Sequence, residues 1–245
     1  MSCNEERRHK DRRRYFVYLV QSGDFDEGKA LVDFFSSSGV SCTFDEPRNR
    51  DDFLGCLSEI LTHARARLTK GARGAGDEIP ILHLSSHGFV SDRNGSPRPS
   101  PAGFELASGE MITWANIRDT VSDLNDTCGG RLILCASTCY GIQADQIAMR
   151  VDRLDPPFFA MVANSTEVDV GDCKRAFLAF FMSLFGGDPL DGAVQAMRTA
   201  SGDDNFVHHY GRATTEPFSR LMASMREGAL EEVRDLYRPR WRLLR

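Results

Sequence analysis

Two short segments carry residue types that perform covalent chemistry. Ser86-His87-Gly88 closes one apolar run, and Ser137-Thr138-Cys139-Tyr140-Gly141 closes another, placing Cys139 52 positions after His87. A thiol attacks a carbonyl as its thiolate, and an ordinary cysteine pKa of about 8.5 leaves it mostly protonated at neutral pH. A neighbouring imidazole takes that proton and later returns one to a leaving amine. Gly88 permits close backbone approach, so its amide and that of Cys139 are candidate donors to a carbonyl oxyanion. Gly141 removes a side chain just past the sulfur. A helix read from Ile142 to Val151 aims its positive end at Cys139 and favours the anion.

The elements that must hold these groups follow from hydrophobic patterning. Tyr15–Val20, Val40–Phe44, Ile79–Leu84, Leu132–Ala136 and Phe158–Ala163 are short apolar runs bounded by turn residues and read as strands. Between them lie amphipathic stretches. One holds Ala30, Leu31, Phe34 and Phe35; a longer one, capped by Asp51 or Asp52, holds Phe53, Leu54, Leu57, Ile60, Leu61, Ala64 and Leu68; a third runs from Trp114 to Thr127. Phe104–Leu106 and Met111–Thr113 flank Ser108-Gly109 as a small hairpin, and residues 89–102 read as an exposed loop. Cys173–Phe185 is an apolar helix, Asp188-Pro189 starts another that ends near Gly202, and the tail after Pro217 reads as helical. This alternation predicts an α/β fold: a three-layer α/β/α sandwich on a mostly parallel sheet, one domain over residues 13–237, with basic tails at 1–12 and 238–245.

In such a sheet functional groups sit just past the carboxyl ends of the strands. His87 and Cys139 then share one edge. So do Ser137, the polar stretch containing Asn164 and Ser165, and Asp24, which are the candidates for lining a substrate cleft; Asp24 and Asp26 are also placed to cap the next helix. The other cysteines have ordinary explanations. Cys135 lies inside a strand, and Cys42, Cys56 and Cys173 suit buried positions. His83 stands four residues before His87, a spacing that on a strand makes no compact metal site, so it reads as a core histidine. His208-His209 falls in a loop or edge segment. The helix around Phe177–Met182 is apolar nearly all round, from burial in the domain or, alternatively, from a homodimer or regulatory partner surface.

Composition sets the outer limits. With 245 residues, 41% hydrophobic and 27% charged, the chain is an ordinary globular one. The net charge of −5 combines +3 over residues 1–14 and +4 over the last eight residues, leaving −12 on the body. An acidic body argues against a nucleic-acid surface. No apolar stretch reaches the roughly 18–20 residues of a membrane span. Seven cysteines at irregular spacing, without a C-x-x-C pair, argue against a disulfide framework or zinc finger and for a reducing, cytoplasmic setting. No metal or cofactor is required by the residues singled out, and Gln21-Ser22-Gly23-Asp24 lacks the glycine-rich phosphate loop of a nucleotide-binding domain.

The pair Ser86-His87-Gly88 and Cys139-Tyr140-Gly141 resembles the His-Gly and Cys-x-Gly motifs of the caspase-like cysteine peptidases, a group that includes caspases, metacaspases and bacterial relatives. The separation matches the roughly 50 residues between histidine and cysteine in caspases, and the resemblance spans residues 13 to 200. It implies a caspase-like fold and an endopeptidase acting on protein substrates, with Cys139 as nucleophile, His87 as base and then acid, and no cofactor. Bacterial relatives often act in signalling or defence by cleaving a partner. Ser137-Thr138 departs from the Gln-Ala of caspases, and Ser137 from the aspartate that metacaspases place two residues before the cysteine, so neither substrate preference carries over. The rival reading is a non-catalytic interaction module on the same scaffold.

Overall fold

The structure is a computed structural model, and it describes residues 15–69, 78–91, 101–148 and 155–213. Both basic tails, the helical reading after Pro217, Cys3 and residues 92–100 of the expected loop lie outside the described residues.

A six-stranded sheet runs in the order β2-β1-β3-β7-β8-β9. Its strands are β1 (Tyr15–Gln21), β2 (Ser41–Asp45), β3 (Ile79–Ser85), β7 (Ile133–Ser137), β8 (Ala160–Asn164) and β9 (Phe206–Tyr210). The first five pair in parallel, and β9 joins β8 antiparallel at the edge. His208 and His209 therefore sit on an edge strand.

Alternation along the strands creates the layers. From β1, Phe16, Tyr18 and Val20 enter one apolar core with Leu82, Leu84, Leu134 and Ala136. Val17 and Leu19 enter the other with Ile81, Ile133, Cys135 and Val162. The first core is covered by α2 (Arg50–Thr69), through Phe53, Leu57, Ile60 and Ala64, and by α3 (Trp114–Thr127), through Trp114, Ile117, Val121 and Leu124. The second is covered by α1 (Glu27–Ser38), α4 (Val170–Phe185) and α5 (Leu190–Ser201). Strands buried on both faces read as continuous apolar runs, which explains why β1, β3, β7 and β8 were legible; β2 is a half-exposed edge strand. The α4 helix is buried in the domain through Phe177, Phe180 and Phe181, while Met182 stays exposed.

Several local expectations are corrected. Residues 89, 90 and 102 of the expected loop are strand: β4 (His87–Val90), β5 (Ala102–Glu105) and β6 (Met111–Thr113) form a separate antiparallel sheet, so the hairpin gains a third strand that begins at His87. The segment after Gly141 is a 3₁₀-helix over Gly141–Ala148. Its buried residues Gly141, Ala144 and Ile147 recur every third position, the 3₁₀ period; residues 149–154 lie outside the described set. The cap of α2 is Asn49, whose Oδ1 accepts from the Asp52 amide at 3.0 Å. Asp26 takes the N-cap position of α1 without bonding to it, because its carboxylate binds Lys174 at 2.6 Å. Asp188 accepts from Ser183 instead of capping α5, whose N-cap is Pro189. Cys42 and Cys56 are half-buried, not core. No helix among the described residues is long and apolar enough to cross a membrane.

Three buried or half-buried acids make stability sensitive to alkali. Burial pushes the Cys128 thiol up to about 11 and Cys56 to about 12, and raises the Tyr18 phenol well above its ordinary value. Each stays protonated in the folded chain at a pH where the unfolded chain ionises. Their stabilisation is complete below about pH 9 and is lost as pH rises beyond it. Urea unfolding between pH 8 and 11 is expected to show this decline, and Tyr18→Phe is expected to make it shallower.

Candidate functional site

The β3–β7 ladder ends with Ser85 opposite Ser137, and the Ser86 amide donates to the Ser137 carbonyl at 3.2 Å. His87 and Cys139 each lie two residues beyond that last pair. Neighbouring strands are about 4.8 Å apart, so the two segments leave the sheet side by side. Gly88 records how close they come. A Cβ there would strike the Cys139 carbonyl oxygen and lie 2.8 Å from both the carbonyl carbon and the amide nitrogen of Cys139. Only a residue without a side chain permits this contact.

The two reactive side chains are held differently. His87 is exposed at the start of β4, and the Phe25 ring packs against its imidazole edge-on, with centroids 4.7 Å apart. Cys139 is half-buried, and its Sγ donates to the Val168 carbonyl at 3.7 Å. The next residue, Tyr140, has φ 55°, the left-handed region that a bulky residue rarely adopts. It is held there by its amide, which donates to the Thr166 carbonyl at 2.8 Å, and by its hydroxyl, which reaches Glu167 at 3.2 Å. The loop from β8 to α4 thus forms a wall beside the sulfur.

His87 and Cys139 line one cleft. Phe25, Val168 and Val170 supply apolar walls, and Glu27, Ser85, Ser137, Thr138 and Cys173 the polar floor. Glu27 is the residue the sequence pattern did not single out. It sits in the first turn of α1, where a glutamate is unremarkable, yet it is 2% exposed. Its carboxylate accepts from Ser85 at 2.9 Å, from Ser137 at 2.8 Å and from His83 Nε2 at 3.1 Å. Gln21 shapes the turn that delivers it: the amide group donates to the Phe25 carbonyl at 2.8 Å and accepts from Gly28 at 2.7 Å. Ser137 also touches Cys173 Sγ at 3.0 Å.

The candidates separate by position. Ser137 lies on the floor of the cleft. Asn164 is buried away from its lining, donating to Asp203 at 2.7 Å and accepting from the Thr166 amide at 2.7 Å. Ser165 is half-buried, its amide on the Asn205 carbonyl at 3.0 Å, and Asp24 is exposed in the turn before α1. From the β8–α4 loop it is Glu167, Val168 and Asp169 that reach the hollow beside Gly88, Cys139 and Tyr140. His83 is fully buried, as expected of a core histidine. Burial, reinforced by the Glu27 charge, holds the Cys135 and Cys173 thiols well above the ordinary range and makes them poor nucleophiles. Among the described residues no group of three or more histidine, cysteine, aspartate or glutamate side chains is arranged to hold a metal ion.

Compared with models of protein families the chain matches none, and a search of curated proteins returns no match.

The Gly88 contact yields a paired test. Gly88→Ala meets backbone that no side-chain rotation clears, and a loss of about 1–3 kcal/mol is expected. Gly55→Ala, in α2 with open space around its Cβ position, is expected to gain about 0.5–1 kcal/mol. Thermal denaturation of the two variants checks both signs.

Proposed function

We propose that this chain is a caspase-like cysteine endopeptidase acting on protein substrates. Cys139 is the nucleophile, and His87 the base that takes its proton. The thiolate adds to the substrate carbonyl. The amides of Gly88 and Cys139 receive the oxyanion, and the protonated imidazole then delivers its proton to the leaving amine. Water hydrolyses the thioester by the same route, with His87 again as base. The observation that carries this reading is the shared register: both residues stand two positions past the Ser85–Ser137 pair, with Gly88 packed on the Cys139 backbone. Two further features support it. Phe25 limits the swing of the imidazole, and the left-handed Tyr140 is the kind of backbone strain that clusters at active sites. The Val168 carbonyl is a resting partner that the thiol exchanges for the imidazole when substrate enters. A thiolate nucleophile also fits a reducing, cytoplasmic setting, and a signalling or defence role follows from the family likeness of the two motifs.

The rival reading, an interaction module in which Cys139 is structural, finds its support in that same thiol–carbonyl contact. An electrophilic peptide separates the two. A peptidase is expected to be labelled at Cys139, to lose labelling in Cys139→Ala and to keep it in Cys135→Ala. In His87→Ala the rate is expected to fall about 10²–10⁴-fold, with the pH dependence between 5 and 9 flattened. Labelling that ignores His87 would assign the thiol an incidental role.

A further inference from the structure

A second hollow opens at the other end of the sheet. Pro80, which lines it, and Ser85, which lines the Cys139 cleft, stand near opposite ends of β3, about 17 Å apart at 3.3 Å per residue. Most of its wall is apolar: Phe16 and Tyr18 from β1, Ala64 from α2, Pro80, and Cys128 at the end of α3. The Phe16 and Tyr18 rings lie 4.9 Å apart, tilted by 57°. Burial pushes the Cys128 thiol and the Tyr18 phenol up, so both are neutral at pH 7.

Three charged groups complete the lining, and they are unevenly matched. Arg67 pairs with Glu78 at 2.6 Å, and its guanidinium lies over the Phe16 ring, 4.2 Å from the centroid. Arg131 has no carboxylate. Its Nε donates to the Cys128 carbonyl at 3.2 Å, and its two terminal nitrogens have no hydrogen-bond or ion-pair partner among the described residues. The turn that carries Arg131 is fixed. Gly129 and Gly130 have φ of 68° and 73°, which glycine adopts without steric cost. The Gly130 amide donates to the Asn125 carbonyl at 2.8 Å, and the Leu132 amide to the Asn125 side chain at 3.0 Å. One guanidinium is therefore held beside an apolar hollow with its outer donors open.

Concave, mostly apolar sites with a few oriented polar groups are where small ligands bind. A guanidinium presents parallel N–H donors that match a carboxylate, and its flat face stacks on rings. A cation would meet Arg131 as like charge. A wholly apolar ligand would strip water from those donors without replacing it, and an anion without an apolar body would leave the Phe16, Tyr18 and Pro80 walls wet.

We propose that this hollow binds a small aromatic carboxylate, with Arg131 receiving the carboxylate and the ring seated among Phe16, Tyr18 and Pro80. The assignment is independent of the peptidase reading, since the hollow shares no lining residue with the Cys139 cleft. Its occupant joins β1, α2, β3 and the turn before β7.

The test titrates the full chain with benzoate, its neutral isostere benzamide, acetate or inorganic phosphate, and follows backbone amide and arginine Nε–H signals by nuclear magnetic resonance. Benzoate is expected to bind with a Kd of about 1 mM, within reach of so small a ligand. It is expected to shift Ala64, Cys128 and Arg131 and to leave Gly88 and Cys139 unmoved. Benzamide, lacking the charge, and acetate, lacking the ring, are each expected to bind about tenfold more weakly. In Arg131→Gln the benzoate affinity is expected to fall about tenfold, and in Arg131→Lys, which keeps the charge without the fork, by less. Absence of benzoate binding, shifts centred on Cys139, or an unchanged affinity in Arg131→Gln overturns the site. Benzamide, acetate or phosphate binding as tightly as benzoate overturns the ligand class. The comparison of probes on the native chain decides the class even where a variant fails to fold.

Discussion

The carboxylate of Glu27 joins three elements that are far apart in the chain. It lies at the start of α1 and accepts hydrogen bonds from the last residues of β3 and β7, Ser85 and Ser137, and from His83 within β3. Each of those strands releases a reactive side chain two residues later. A buried carboxylate with several donors is costly to disturb, because every donor lost leaves a desolvated charge less well answered. The cluster therefore fixes the two strand ends relative to each other and to the helix that follows β1. Cys173, on α4, closes it through Ser137.

That cluster stands where the topology makes a crevice. After β1 the chain passes through α1 and adds β2 on one side, whereas β3 pairs with β1 on the other. The connections on either side of β1 diverge at the carboxyl edge, the place where open α/β sheets bind their ligands. Phe25 comes from the β1–α1 turn and Glu27 from the first turn of α1, His87 from the β3–β4 junction, Cys139 from the segment after β7 and Val168 from the loop after β8. Four connections converge on one cleft, so its shape depends on the whole sheet and not on any single loop.

How much of this was readable from the residues follows from what each signal measures. Strands buried on both faces advertise themselves as apolar runs, and β1, β3, β7 and β8 were found that way, while the half-exposed edge strand β2 showed itself through the short run Val40–Phe44. His87 and Cys139 were visible because glycines and polar residues follow apolar runs at those points. Glu27 was not, since its burial arises from long-range pairing with Ser85 and Ser137, and nothing local distinguishes it from a glutamate in any helix's first turn. The strand at His87–Val90 was hidden because its partner, β5, lies across residues 92–100 in sequence. The 3₁₀ winding after Cys139 was read as α-helix because an apolar residue at every third position satisfies both periods over so short a stretch. Asn164 looked like a cleft residue from its place at the carboxyl end of β8, but its side chain is occupied by Asp203 and Thr166.

The contact between Gly88 and Cys139 involves the cysteine's main chain and not its sulfur. Architecture and reactivity are thus separable at this point. A descendant of the chain could exchange the thiol for a hydroxyl or a methyl group and keep the same packing, while the glycine could not drift without displacing its neighbour. Copies of this domain that have lost the thiol should therefore retain the glycine.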